Sequence, residues 1–269
     1  MKRNETLEEM FLRRVGYRMN AQNPRSFNEK IQWRKLFDHN ETYPALVDKA
    51  ESKKIARERC SGIRVFDTLW VGGDVGKIPF IVPSIIKNTS NSGSSWRILR
   101  ELPEPDKANI RSQIMLSLSR RYGDNKKEWA YSQVPARAIV EHFEARPFID
   151  VKFWVFDGSA KAIAIMEYEG GKIKSWTMFD ERFKNLKVQS VPYMSLGIDF
   201  PIEKEHAEAG KRLAEDLSAN MDFVRVDLYY VPKDNEWYFG EFTLYPTSGM
   251  ARYSPVEFDH YLGSCWRIR

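Results

Sequence analysis

Cysteine is almost missing from this chain. Cys60 and Cys265 are the only two, far apart and in no CxxC pair. That excludes a disulfide framework and a cysteine-built structural zinc site, and it fits a reducing compartment. No apolar run reaches the roughly 20 residues that a membrane-spanning helix needs. The opening Met1-Lys-Arg-Asn-Glu-Thr-Leu-Glu-Glu is charged where a signal peptide is apolar. The expectation is a cytoplasmic protein without a transmembrane segment. Internal repeats, low-complexity tracts and long Lys/Arg runs are absent as well. The formal net charge is only +5, with basic residues scattered, so small anionic ligands or acidic glycans are expected as partners and nucleic acid is not. The four histidines (His39, His142, His206, His260) show no metal-ligand spacing.

What is present is an ordinary globular composition: 42% hydrophobic and 29% charged over 269 residues, enough for one large domain or two lobes. Residues 5–18 and 28–38 have helical periodicity, and Ser26 with Glu29 reads as a capping box for the second. Another helix runs from Asp48 to Cys60 and stops at Ser61-Gly62. Strands and loops fill 62–83. A short strand, Ser84-Ile-Ile-Lys87, then enters the hydroxyl-rich stretch 88–95. Residues 104–122 read as helix, 137–143 as strand, and 148–156 as a strand that turns at Asp157-Gly158 into 162–166. A helix over 202–220 leads into a hairpin. Helices at the start, a small mixed segment, and then consecutive antiparallel strands imply an α+β fold with two lobes.

The hairpin carries the sharpest chemical signal. Phe223-Val-Arg-Val-Asp-Leu-Tyr-Tyr and Trp237-Tyr-Phe-Gly-Glu-Phe-Thr flank the polar turn Pro232-Lys-Asp-Asn-Glu236. Asp227 and Glu241 lie on the paired strands among apolar residues, where an uncompensated carboxylate is costly. Two such groups near one end form a seat for Mg²⁺, which takes oxygen ligands and shares them with phosphates. Arg225 is two residues before Asp227 and so shares its face, placed to stabilise a developing oxyanion. The competing reading is a solvated ion-pair ladder on an edge strand. Lys87 before the Ser/Thr/Gly stretch suggests a phosphate cradle, although the spacing is neither P-loop nor Rossmann; a surface loop is the alternative. Lys53 by itself reads as a helix-surface charge.

The ordered set Asp48-Lys-Ala-Glu-Ser-Lys53, Lys87 with its loop, Val140-Glu-His-Phe143, Arg225-Val-Asp227 and Gly240-Glu-Phe-Thr243 resembles the ATP-grasp superfamily, as in D-alanine–D-alanine ligases. More closely, the chain is similar to the TupA-like ATP-grasp family, named for teichuronopeptide biosynthesis and found in bacterial surface-polysaccharide clusters. The segments Asn23-Pro-Arg-Ser-Phe-Asn-Glu-Lys-Ile-Gln-Trp33, Val47-Asp-Lys49, Ile149-Asp-Val-Lys-Phe153 with Phe156-Asp-Gly158, and Phe239-Gly-Glu-Phe-Thr-Leu-Tyr-Pro-Thr-Ser-Gly249 carry this closer match.

The resemblance implies an ATP-grasp fold, two α+β lobes clasping ATP. Residues 1–45 would be a short helical N-terminal segment, 46–140 the small lobe and 141–269 the large lobe. It implies ATP and Mg²⁺ as cofactors and an ADP-forming carboxylate–amine ligase acting through an acyl phosphate. Lys53 and Lys87 would hold the phosphates, and the loop with Ser92, Gly93 and Ser94 would close over the γ-phosphate. Glu141, His142 and Phe143 would form the adenine hinge, Asp150 would receive the ribose, and Lys152 would be a further phosphate ligand. Asp227 and Glu241, with Thr243 where many relatives carry Asn, would hold Mg²⁺, and Arg225 would be catalytic with Lys87. The expected substrates are an amino acid and a carboxylate-bearing sugar or glycan; a lipid-linked acceptor would add a peripheral membrane contact. A glycosyltransferase would want a DxD-type metal site, which the chain does not show; a non-catalytic nucleotide-binding module is the third reading.

Overall fold

A computed structural model describes residues 5–91, 95–120, 122, 123, 126–143, 146–169 and 172–269. In chain order the elements are α1 (Leu7–Val15), α2 (Phe27–Phe37), α3 (Tyr43–Val47), α4 (Glu51–Arg59), β1 (Arg64–Val65), β2 (Thr68–Gly72), β3 (Ser84–Asn88), β4 (Ser95–Ile98), α5 (Glu104–Leu118), α6 (Trp129–Ser132) and β5 (Ala138–His142). They continue with β6 (Ile149–Phe156), β7 (Ser159–Glu169), β8 (Lys172–Phe179), β9 (Gln189–Val191), α7 (Lys204–Leu217), β10 (Phe223–Val231), β11 (Glu236–Thr243), β12 (Arg252–Ser254) and α8 (Glu257–Cys265). The chain divides into two compact units: one takes the residues to Asp38 together with Phe148–Arg269, the other His39–Pro147.

In the first unit, β11-β10-β6-β7-β8 form an antiparallel sheet. Val151, Phe153, Val224, Val226, Leu228, Phe239 and Phe242 are buried, and α7 packs on β10, β6 and β7. The N-terminal helices belong to this unit. Both begin with capping boxes, Thr6–Glu9 and the expected Ser26–Glu29. Glu29 also accepts the backbone N–H groups of Asn20 and Arg25, each at 2.9 Å, which satisfies a buried carboxylate without a cation. Helix α2 is no surface helix. Its Arg34 is buried, pairs with Asp222, donates to the Phe223 carbonyl at 2.8 Å and lies 4.3 Å from the Trp266 ring centroid. The crossing with α8 is close enough that a Cβ at Gly263 would come within 2.1 Å of the Arg25 carbonyl oxygen.

In the second unit β2-β5-β3-β4 form a four-stranded antiparallel sheet. Alternation sends Ile86, Ile98, Ala138 and Val140 into a core shared with Ile78 and with Ile114 of α5. Lys87 and Glu141 fall on the opposite parity. The sheet thus has an apolar face under α5 and a face that carries charge.

Candidate active site

Period-2 alternation makes Thr68, Lys87 and Glu141 neighbours on the charged face of the second unit, with Thr68 paired to Glu141 across β2 and β5. Asp48 fixes the start of α4, because its Oδ1 accepts the N–H of Ala50 at 2.8 Å and its Oδ2 accepts Arg137 Nη2 at 2.8 Å. That anchored helix delivers Lys53. Glu141 bridges the two lysines: Oε1 pairs with Lys53 Nζ and Oε2 with Lys87 Nζ at 2.7 Å. Lys53 also donates to the Phe66 carbonyl at 2.8 Å and to Thr68 Oγ1 at 3.3 Å. Burial alone would raise the Glu141 carboxyl, but the charges of Lys87 and Lys53 outweigh it and hold it at about 2. Burial pushes the Lys53 ammonium down, and Glu141 offsets only part of that. Two ammoniums against one carboxylate leave this cluster net positive, which suits phosphate.

The rest of the expected nucleotide region is in place without a binding geometry of its own. The backbone N–H of His142 donates to the Asp67 carbonyl at 2.9 Å, and that of Phe143 to Pro83 at 3.3 Å. The His142 side chain is exposed. Ser92, Gly93 and Ser94 lie outside the described residues.

The first unit carries a second cluster on one sheet face. Arg225, Asp227 and Tyr229 alternate along β10, opposite Trp154, Lys152 and Asp150 of β6. On the other side Asp227 pairs directly with Glu241, and Arg225 with Thr243. Strict alternation along β11 would have grouped Glu241 with Phe239 and Trp237. A bulge at Gly240 shifts the register, so that Phe239 and Phe242 both face the core, their rings 4.7 Å apart, and Glu241 turns to the charged face. A side chain at 240 would meet the Asp227 carbonyl oxygen and the Tyr229 ring, each 2.9 Å from its Cβ.

Arg225 clasps Asp227 bidentately, Nε to Oδ1 at 2.6 Å and Nη2 to Oδ2 at 2.7 Å, and Nη2 also donates to Thr243 Oγ1 at 3.0 Å. Its two Nη1 protons find no acceptor among the described residues. Lys152 donates to Asp150 Oδ1 at 2.9 Å, to Asp150 Oδ2 at 3.0 Å and to Asp227 Oδ2 at 2.9 Å. All three of its protons are thus directed at carboxylates. Tyr168, a residue that sequence reasoning missed, donates its hydroxyl to Asp150 Oδ2 at 3.0 Å. Burial works to raise the Asp227 carboxyl, but Arg225 and Lys152 outweigh it and keep it ionised below its usual range. Asp150 is raised, chiefly by burial and further by the Asp227 charge, even against Lys152.

Among the described residues no group of three or more His, Cys, Asp or Glu side chains is gathered around a metal position. The donor set still fits Mg²⁺, which needs only one or two carboxylates beside phosphate oxygens. Of the roughly four acceptor positions of the Asp227 carboxylate, three take Arg225 and Lys152, leaving one on Oδ1. Half-buried Glu241 faces it across the strands.

The turn that follows β11 is also built from the N-terminal helices. Thr247 and Ser248 adopt left-handed backbone, φ 50° and 60°, ahead of Gly249 at 62°. Gln32 donates to the Ser248 and Gly249 carbonyls at 2.9 and 2.7 Å, and Lys35 to Ser248 at 3.0 Å. Asn28 holds the Ala251 carbonyl at 2.8 Å. All three belong to α2, inside the Asn23–Trp33 stretch or just beyond it.

These features lie in a chain whose residues 29–267 match the TupA-like ATPgrasp family. The chain belongs to that family, and its fold is the α+β ATP-grasp fold. ATP-grasp enzymes in general are ATP-dependent carboxylate–amine ligases that use Mg²⁺. No curated protein matches the sequence. Among solved structures, the chain is similar to D-alanine–D-alanine ligase from Helicobacter pylori (14% identity, TM-score 0.48, 82% of this chain and 61% of that one). The ATP complex of the Bacillus anthracis enzyme gives 13% identity and TM-score 0.45 over 74% of this chain and 54% of that one. VanG D-Ala:D-Ser ligase from Enterococcus faecalis gives 15% and 0.43 over 74% and 52%. The chain thus spans little more than half the length of these ligases. No helix of the described residues is long and apolar enough to cross a membrane.

Proposed function

We propose that this chain is an ADP-forming carboxylate–amine ligase that joins an amino acid to a uronic acid or similar carboxylate-bearing sugar of a bacterial surface glycan. The observation that carries the reading is the pair of carboxylates, Asp227 and Glu241, opposite each other across β10 and β11 with Arg225 on the same face. Family membership supports the reaction class, and the resemblance to a family named for teichuronopeptide biosynthesis is what suggests the glycan side.

In this reading a substrate carboxylate takes the γ-phosphoryl group of ATP, forming an acyl phosphate and ADP. An amine then attacks the acyl carbon, phosphate leaves, and the amine proton passes to solvent. Such chemistry asks the protein for positioning and charge neutralisation more than for covalent groups. Asp227 and Glu241, with the Thr243 hydroxyl beside them, would hold Mg²⁺, which when bound supplies neutralisation of the phosphate charge. Arg225 offers its Nη1 protons to the oxyanion that develops at the acyl carbon. The Lys53–Glu141–Lys87 cluster supplies the positive charge for the phosphates, and the strand end at Glu141–Phe143 meets the adenine. Asp150 and Lys152 support Asp227 from the neighbouring strand.

The test is ATP consumption with Mg²⁺ against a panel of amino acids, with and without uronic acids, the nucleotide product being identified by mass spectrometry. ADP released only with a particular amine–carboxylate pair is the expected result. ATP bound but never consumed would favour a nucleotide-binding module. Consumption of a nucleotide sugar instead would favour a glycosyltransferase, and absence of ATP binding would end the reading.

A further inference from the structure

The family resemblance gives Lys53 and Lys87 the same phosphate-holding task, and the structure makes them unequal. An ammonium has three protons and no acceptor. Those of Lys53 are all directed at protein atoms, namely Glu141, the Phe66 carbonyl and Thr68 Oγ1. Its side chain is 5% exposed, whereas that of Lys87 is 27% exposed. Lys87 gives one proton to Glu141, and its other two find no acceptor among the described residues. Glu141 is shared between them and pinned from a third direction, being paired in the sheet to both Thr68 and Ile85. Helix α4, which carries Lys53, is itself tied to the start of β5 by the Asp48–Arg137 ion pair at 2.8 Å. Lys53 therefore sits in a fixed frame in which every one of its bonds ends on protein.

We propose that Lys53 is a positioning residue that never touches phosphate: it orients Glu141, Glu141 orients the Lys87 ammonium, and Lys87 alone presents protons to the phosphates of ATP. This assignment rests on the ATP reading above. It divides between two residues a task that sequence resemblance gives to both. The physical reason is geometric. Freeing the proton that meets Glu141 would leave a carboxylate oxygen of a buried side chain without its donor, which is unfavourable. Lys87 needs no such exchange.

The experiment is isothermal titration of the full chain with ATP and, as a probe of the phosphate contacts alone, with inorganic tripolyphosphate. Lys87→Met is expected to weaken tripolyphosphate at least about tenfold, the loss of a charge-assisted contact. Lys53→Met is expected to weaken it about three- to tenfold through misplacement of Lys87, and to add no more than about twofold when Lys87→Met is already present. A further tenfold loss in that double variant would make Lys53 a direct phosphate ligand and overturn the proposal. So would an unchanged affinity in Lys53→Met, which would reduce the residue to core filling. If Lys53→Met does not fold, Lys53→Met/Glu141→Gln removes both charges together and leaves no lone buried ion. Affinity within about twofold of Glu141→Gln supports the proposal, and a tenfold deficit overturns it. Wild-type protein that binds ATP while these variants disagree sinks the division of labour alone; wild-type protein that binds neither probe sinks the ATP reading and this assignment with it.

Discussion

The two charged clusters use the same residue types in opposite proportion. In the second unit two lysines share one carboxylate, and Glu141 is the minority charge. In the first unit Arg225 and Lys152 face Asp150, Asp227 and Glu241, and the cations are the minority. Among these named side chains, positive charge is in excess in one cluster and negative charge in the other. In the proposed reading a phosphate suits the first and a divalent cation the second. The sign of the charge in excess, rather than the number of charged residues, distinguishes a ligand site from a structural ion pair.

The strongest way to break this comparison is to separate the two carboxylates Asp227 and Glu241 of the first unit's cluster. Asp227→Asn should abolish Mg²⁺-dependent turnover, and it should also destabilise the fold by about 3–5 kcal/mol, because Arg225 and Lys152 lose a buried counter-charge. Glu241→Gln should abolish the same turnover with a much smaller change in melting temperature. Thermal melts beside the ATPase assay check both; equal melting losses in the two variants would erase the distinction between structural and ligand-facing carboxylates.

An intermediate effect is expected from pH. The folded-state carboxyl of Glu141 is held at about 2, below the ordinary glutamate value of 4.5. Its contribution to stability is therefore fully present above about 4.5 and disappears as pH falls toward 2. The contribution amounts to about 3 kcal/mol at neutral pH, from 1.36 kcal/mol per unit. Urea midpoints of wild type and Glu141→Gln should converge across that window; a gap that stays constant down to pH 2 would show that Lys53 and Lys87 do not depress this carboxyl. The smallest effect belongs to Tyr168→Phe. It removes one hydrogen bond to Asp150 from a tyrosine that is 52% exposed, and it should lower stability by about 1 kcal/mol or less.

Much of the site was legible before the structure. Arg225 and Asp227 share a face because strands alternate with a period of two, and the structure joins them by two hydrogen bonds. Asp150 and Lys152 follow from the same rule, as does the Ser26–Glu29 capping box from its spacing. Glu141 was less legible. As part of a strand end it read as hinge backbone, whereas its side chain is what the structure engages. Tyr168 escaped because β7 runs on to Glu169 through a register shift after Glu167, beyond the apolar run that announced the strand. Helix α8 and strands β8, β9 and β12 were also missed, their sequences offering no long periodic run.

The sequence by itself determined the type of the strongly periodic elements, the parity of residues along the unbulged strands and the residue chemistry, because helix and strand periodicity, caps and turns are local. Only the tertiary structure decided which charges meet. The bulge at Gly240 sets Glu241 opposite Asp227, α4 brings Lys53 to a carboxylate 88 residues further on, and α2 holds the left-handed turn after β11. Those pairings join residues far apart in the chain, and what selects them is burial: a charge removed from water must find its partner wherever the fold supplies one.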